Sequence, residues 1–174
     1  MRNHVTSQRG VSLIETMIAM LVLTVGAIGM ASVFLYGMQS ASSSPNELIA
    51  TQKASEAIES VFAARDSHTL TWAQLQNAAA GGIFLDGAKS MKLAGADGIL
   101  NTADDGAIES IAYPGPDQLL GTADDRTDTL TAFTREIKIT AISTELRSVT
   151  ITITYPAGTM TRTYTLTAYM SAFA

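Results

Sequence analysis

The chain has 174 residues, no cysteine, a formal net charge of −5 and 47% hydrophobic residues. That length suits one soluble domain of ordinary size together with a membrane anchor. The absence of cysteine excludes a disulfide framework. The acidic balance argues against binding of nucleic acid through a broad basic surface.

The N-terminal 40 residues begin with a short basic leader and continue as a long apolar segment. Arg2 and Arg9 lie in the leader, and after Glu15 no charged residue appears before Glu47. The uncharged run 17–38 has 22 residues, and a helix of about 20 residues crosses the bilayer core. A carboxylate at the start of such a helix is costly without a partner, so Glu15 is a candidate functional residue. The alternative is a plain single-pass anchor with Glu15 at the membrane interface.

The sequence RGVSLIETMIAMLVLTVGAIGM resembles the class III signal of type IV pilins and type II secretion pseudopilins. The resemblance implies that a prepilin peptidase cuts between Gly10 and Val11 and methylates the new amino terminus. Glu15 would then be the fifth mature residue, paired with the terminal amine of a neighbouring subunit. Members of this family usually have phenylalanine where this chain has Val11. Loss of Arg2 and Arg9 with the leader would change the net charge from −5 to −7.

The two leader arginines also predict the membrane orientation. Positive residues stay on the cytoplasmic side, so the N-terminus is expected inside and everything after about residue 40 outside. The expected location is the bacterial inner membrane as a single-pass protein, and a pilus or pseudopilus after assembly. The implied partners are other pilin or pseudopilin subunits, the prepilin peptidase and the inner membrane.

Beyond the anchor, the pattern divides the chain into further segments. We expect a leader over 1–10, a transmembrane and filament-core helix over 11–40, an amphipathic helix over 41–66 and a globular head over 67–174. A bend is expected near Ser43–Pro45. A short helix is expected over 71–80, with Trp72 in packing contacts. The apolar face of the amphipathic helix is predicted from a spacing of three to four residues. Its members are Leu48, Thr51, Ser55, Ile58 and Phe62, with Val61 beside them.

The middle of the chain contains an internal repeat. GADGILNTADD at 95–105 recurs as GPDQLLGTADD at 115–125, an offset of 20 residues. The segment 95–128 holds eight of the sixteen acidic residues and one base, Arg126. The repeat therefore concentrates carboxylates in two short loops rich in glycine.

Three carboxylates per repeat suit a hard cation such as Ca²⁺, which takes six to eight oxygen ligands in flexible geometry. A zinc site is disfavoured because the chain has no cysteine and two histidines. The spacing differs from the twelve-residue EF-hand loop, since the twelfth position counted from Asp97 is Ile108. The other interpretation is a pair of solvated loops built on Asx turns. The candidate calcium ligands are Asp97, Asp104, Asp105, Asp117, Asp124 and Asp125.

The C-terminal third is strand-like. Segments 129–143, 146–155 and 160–168 alternate apolar and polar residues with many threonines, which is typical of a half-buried antiparallel sheet. A hairpin turn is expected at 156–159. The predicted fold class is α+β, in which a long N-terminal hydrophobic helix packs on an antiparallel sheet over 129–170. This sheet pattern also resembles minor pilins of the PilV type.

Three functions follow from these patterns. The first is a minor pilin, a structural subunit that acts in assembly, priming or adhesion of a type IV pilus. The second is a minor pseudopilin of type II secretion, with the same architecture in a short periplasmic filament. The third is a membrane-tethered hydrolase that uses the aspartate-rich loops. We expect no enzyme activity, since the sequence has neither a nucleophile motif nor a phosphate-binding loop.

Overall fold

The computed structural model describes residues 12–173, and the side chains of all of these except 39–44. Gly10 and Val11, the predicted processing site, lie outside the described residues. Helix α1 spans Leu13–Asp66 and a short 3-10 helix spans Ala78–Ala80. The strands are β1 (Lys89–Ser90), β2 (Ser110–Tyr113), β3 (Arg126–Thr129), β4 (Thr134–Ala141), β5 (Leu146–Ala157) and β6 (Met160–Ser171).

The chain divides into two compact units, an anchor unit of residues 1–41 and a head unit of residues 42–174. The anchor unit contains the apolar part of α1. In the head unit, the remainder of α1 and the strands share one hydrophobic core. The predicted α+β fold, a long apolar helix with a C-terminal antiparallel sheet, is confirmed.

One expectation about helices is wrong, and another stays a prediction. Helix α1 continues through Pro45 as one helix, and the bend expected near Ser43–Pro45 stays a prediction. The region 71–80 forms tight turns and only the 3-10 helix at its end. The physical reason is Asn77, whose amide donates to Ile137 O at 2.7 Å and accepts from Ile139 N at 2.8 Å. These contacts with β4 hold the backbone in an extended conformation at Asn77 and exclude a regular helix.

The buried face of α1 in the head unit also differs from the predicted face. Leu48 is 61% exposed, and Thr51, Ser55, Ile58 and Phe62 are only partly buried. The fully buried residues recur at the same helical spacing but are shifted around the helix axis. They are Ala50, Ala54, Ala57, Val61 and Ala64. The part of α1 that lies in the hydrophobic core of the head unit thus consists mainly of small side chains.

The main sheet has the order β1–β4–β5–β6, and all its pairs are antiparallel. Strand β5 alternates strictly between buried and half-buried residues, as its sequence predicts. Ala157 pairs with Met160, so Gly158 and Thr159 form a two-residue hairpin turn. Gly158 has φ 64°, as the first position of a type II′ turn requires.

Polar side chains join α1 to the sheet at two points of the head unit. The Asn46 amide donates to Pro156 O at 2.8 Å, and Arg65 Nη1 donates to Ser171 O at 3.2 Å. The two residues are 19 positions apart, which corresponds to roughly 28 Å of helix. The helix is therefore fixed to β5 near one end and to the end of β6 near the other.

Candidate functional site: the duplicated loop and the apolar helix

The two copies of the repeat fold into the same loop. The carboxylate of Asp97 accepts from Ile99 N at 2.8 Å, and that of Asp117 accepts from Leu119 N at 2.9 Å. Each contact is an Asx turn, in which the side chain substitutes for a backbone carbonyl. The duplication is therefore structural as well as sequential.

The second aspartate of each copy closes the loop. Asp104 Oδ1 accepts from Thr102 Oγ1 at 2.7 Å, and Asp124 Oδ1 accepts from Thr122 Oγ1 at 2.6 Å. These hydroxyl donors, followed by other local hydrogen bonds, hold the pKa of both carboxyls below their ordinary value. The charged form is favoured because the donors stabilise it.

The third aspartate of each copy accepts from the backbone. Asp105 accepts from Asn101 N at 3.0 Å, and Asp125 accepts from Gly121 N at 2.5 Å. Asp105 is also partly buried, and this burial raises its pKa despite the amide donors. The first copy thus holds one carboxyl with a lowered pKa beside one with a raised pKa.

Gly95 and Gly115 make this closure possible. A Cβ atom added at Gly95 would lie 2.3 Å from Asp104 Oδ2, and one added at Gly115 would lie 2.3 Å from Asp124 Oδ2. Real Cβ atoms do not approach so closely. A glycine is therefore required at the start of each copy.

The structure leaves the calcium prediction untested. Each of the six predicted ligands accepts at least one hydrogen bond from an amide or hydroxyl. Within residues 12–173, no group of three histidine, aspartate or glutamate side chains is placed to hold a metal ion. The hydrogen bonds by themselves account for the conformation of both loops.

A buried ionic cluster that was not predicted from the sequence lies in the head unit. Arg135 on β4 and Glu109 before β2 are 0% and 2% exposed, with Arg135 Nη1 3.0 Å from Glu109 Oε1. Lys53 Nζ on α1 lies 2.5 Å from Glu109 Oε2 and forms a second ion pair with this carboxylate. The cluster joins α1, β4 and the segment between the two loops.

The position of Arg135 within its strand could have revealed this cluster. Arg135 is in phase with the inward residue Ile137, and Arg147 is likewise in phase with Val149. Arg147 donates to the carbonyls of Trp72 and Leu75 and stacks on the Trp72 ring at 4.2 Å. Trp72 is therefore a packing residue, as expected.

In the apolar part of α1, side-chain hydroxyls form hydrogen bonds within the helix itself. Residues Leu13–Met38 form one helical segment long and apolar enough to cross a membrane. Thr16, Thr24 and Ser32 each donate to a carbonyl three or four residues earlier in the helix. No other polar partner is needed at these hydroxyls, as the hydrocarbon core demands.

Glu15 lies in the first turn of α1, where Glu15 N donates to Ser12 O at 3.0 Å. A carboxylate is favourable there because it faces the positive end of the helix dipole. Its side chain is exposed and makes no ion pair or hydrogen bond with any residue of 12–173. A carboxylate in an apolar environment is costly without a partner, and the described side chains supply none to Glu15.

Residues 5–31 match the prokaryotic N-terminal methylation motif. The match contains Gly10, Val11, Glu15 and most of the apolar helix. This motif supports a type IV pilin or pseudopilin, an N-terminus processed by prepilin peptidase, and a membrane-anchored chain that assembles with other pilins. It points to a structural subunit rather than an enzyme. Searches of curated proteins and of solved structures gave no match to this chain.

Proposed function

We propose that this chain is a minor pilin, a structural subunit that acts in assembly, priming or adhesion of a type IV pilus. The observation that carries the proposal is the position of Glu15. It is a single carboxylate in the first turn of an exposed apolar helix, inside the methylation motif and without a partner in residues 12–173. In this role the Val11 amine of the neighbouring subunit neutralises Glu15 during assembly.

The head unit supports a structural role. The buried Glu109 and Arg135 are paired with each other, and the duplicated loops use their carboxylates to hold their own backbone. Because Ca²⁺ binds six to eight oxygen ligands in flexible geometry, we also propose that calcium bound by these loops stabilises the head.

The proposed orientation places the head outside the cytoplasmic membrane and the leader inside.

The second candidate is a minor pseudopilin of type II secretion, because the methylation motif is shared by both groups of filament proteins. The two functions predict different phenotypes. Deletion of a minor pilin should abolish surface pili and leave secretion of folded exoproteins intact. Deletion of a minor pseudopilin should have the reverse effect.

Intact-mass measurement of the chain from native membranes tests the proposal. The expected species begins at Val11 and carries one added methyl group. The control is the same measurement in a strain that lacks prepilin peptidase, where the full-length chain should accumulate. Recovery of only the full-length chain in the presence of an active peptidase would refute the proposal.

A further inference from the structure

The two copies of the repeat share one conformation but differ in what they contact. In the first copy, Ile99 and Leu100 are 2% and 4% exposed and belong to the hydrophobic core of the head unit. In the second copy, Leu119 and Leu120 occupy the equivalent positions, and both are 63% exposed. The same loop therefore carries an apolar pair that is docked in one case and undocked in the other.

The first copy shows which contacts such a loop makes when it is docked. The Leu100 amide donates to Ser60 Oγ on α1 at 3.2 Å. Asn101 O accepts from Leu85 N at 2.9 Å, and Asn101 Nδ2 donates to Leu85 O at 3.2 Å. The docked loop thus inserts two aliphatic side chains and satisfies its neighbouring backbone groups on the receiving surface.

The second copy has none of these contacts among residues 12–173. The Leu120 amide has no partner there, and Gly121 replaces the asparagine side chain. The base of the loop is nevertheless closed by strand pairing, because Tyr113 pairs with Arg126 at the ends of β2 and β3. Its own aspartate and threonine contacts, described above, fix its tip. Leu119 and Leu120 therefore lie at the tip of a hairpin, in a loop with the same conformation as the loop that docks Ile99 and Leu100 in the core.

The charge around the tip selects the partner. Asp117, Asp124 and Asp125 surround the apolar pair, and the nearby Arg126 is already paired with Asp128 at 2.6 Å. A second copy of this chain is a poor match, because the groove of 550 Å³ beside its first loop offers no free cation among the described side chains. Its charged lining residues are Glu56, Glu59 and Glu109, and the neighbouring Lys53 and Arg135 are already paired with two of them. Anionic lipid is disfavoured for the same reason, since like charges facing each other oppose association.

We infer that the loop carrying Leu119 and Leu120 is a docking surface for a second protein. That protein presents an apolar cleft for two aliphatic side chains, an acceptor for the Leu120 amide and lysine or arginine side chains at the rim. This docking surface belongs to the head unit and does not depend on the filament role proposed above.

Site-specific photo-crosslinking in cells that express the full chain at its natural level tests this inference. A benzophenone amino acid is placed at Leu120, and at Ile142 as a control position with 53% exposure elsewhere on the head unit. We expect one identified protein to crosslink at Leu120 with at least about tenfold higher yield than at Ile142. Mass mapping should place the crosslink among apolar residues flanked by lysine or arginine.

The basic rim is tested by charge. Asp117→Asn removes a charge and keeps the oxygen that accepts from Leu119 N. This variant, and high salt with the native chain, should each lower the crosslinking yield at least about threefold. Crosslinks only to copies of this chain, only to lipid or to nothing would overturn the inference. A yield that is insensitive to both charge and salt would also overturn it.

Equivalent substitutions in the two copies separate docking from folding. Leu119→Asn with Leu120→Asn should abolish co-purification of the identified partner with the full chain, while Tm stays within about 2 °C of the native value. Ile99→Asn with Leu100→Asn should lower Tm strongly, since these residues are buried. Retention of the partner by the Leu119 and Leu120 double variant, or a Tm loss equal to that of the first-copy variant, would contradict the inference.

Discussion

Lys53 on α1 lies 2.5 Å from Glu109 Oε2, and Glu109 in turn lies 3.0 Å from the buried Arg135 on β4. Within residues 12–173, Glu109 is the only residue that forms ion pairs with both of these cations. Because it neutralises a guanidinium that is fully buried, its removal leaves an uncompensated charge in the core.

Glu109→Gln should therefore destabilise the chain by about 3–5 kcal/mol. Thermal unfolding of the full chain in detergent measures the change. Glu136→Gln is the matched control, since Glu136 lies next to Arg135 on β4 and faces the opposite side of the sheet. Equal effects of the two substitutions would show that the cluster has no special role.

The alanine face of α1 is buried in the hydrophobic core of the head unit. Ala57→Leu should destabilise the head unit by about 1–3 kcal/mol, because added methyl groups force side chains and backbone apart. Leu48→Ala at the exposed position should change stability by no more than about 0.5 kcal/mol. If thermal unfolding gives the opposite order, the helix face assigned here is wrong.

The threonine–aspartate contacts of the loops predict a pH dependence. The pKa of Asp104 and of Asp124 is lowered from 3.8 in the folded chain. Their contribution to stability is therefore fully present above pH 3.8 and is lost as the pH falls through the lower folded-state pKa. Thr102→Val with Thr122→Val should raise both pKa values toward 3.8.

A carboxyl-carbon NMR titration of the full chain in detergent checks this shift. Thr150→Val serves as the control, because Thr150 contacts Thr167 on the sheet and no carboxylate. Unchanged titration of Asp104 and Asp124 in the double variant would mean that the hydroxyl bonds do not set their pKa.

Glu15→Val should leave membrane insertion intact, because the substitution makes the helix more apolar. It should reduce incorporation into sheared filaments, since the amine of the neighbouring subunit loses its counter-charge in an apolar surrounding. Quantitative immunoblotting of membrane and filament fractions measures both effects. Thr16→Val, one position later in the same turn, is the control. Normal recovery of the Glu15→Val chain in filaments would contradict the pairing role.

Calcium is expected to raise the Tm of the full chain relative to chelator. Binding to the folded state alone stabilises by about 2.7 kcal/mol at a hundredfold excess over Kd. Asp104→Ala with Asp124→Ala should remove most of the calcium-dependent increment, in addition to any loss caused by the missing threonine contacts. Magnesium should substitute poorly because it requires stricter octahedral geometry. A Tm that follows only ionic strength would leave the hydrogen bonds as the full account of the loops.

The sheet could be predicted from the sequence because its signal is a simple alternation. Val149, Ile151 and Ile153 are inward in the structure as their spacing requires. The face of α1 could not be predicted in the same way, since large apolar residues such as Leu48 outweigh alanines in any periodicity. Which face of a helix is buried depends on the surface that it meets, and that surface is formed by residues distant in the sequence.

The duplicated loop was visible in the sequence, but the difference between its copies was not. Ile99–Leu100 and Leu119–Leu120 are equivalent by residue type, and only the fold decides which pair reaches the core. Asn101, replaced by Gly121 in the second copy, is one local sign of that difference. The buried cluster was missed because an arginine inside a strand of threonines resembles a surface residue unless its phase is compared with that of its neighbours.

The closed base of each loop has a consequence for how this protein can change. In the first copy, Gly106 N donates to Leu93 O and Leu93 N donates to Ala107 O; in the second, Tyr113 pairs with Arg126. The two ends of each repeat loop therefore lie next to each other in the backbone. Further copies of the repeat could be inserted at the hairpin tip without moving the core, because each doubling of a loop's length costs only about 0.6 kcal/mol in closure entropy. Insertions or substitutions in the hairpin of β2 and β3 can thus change its length and surface without changing the helix and the main sheet.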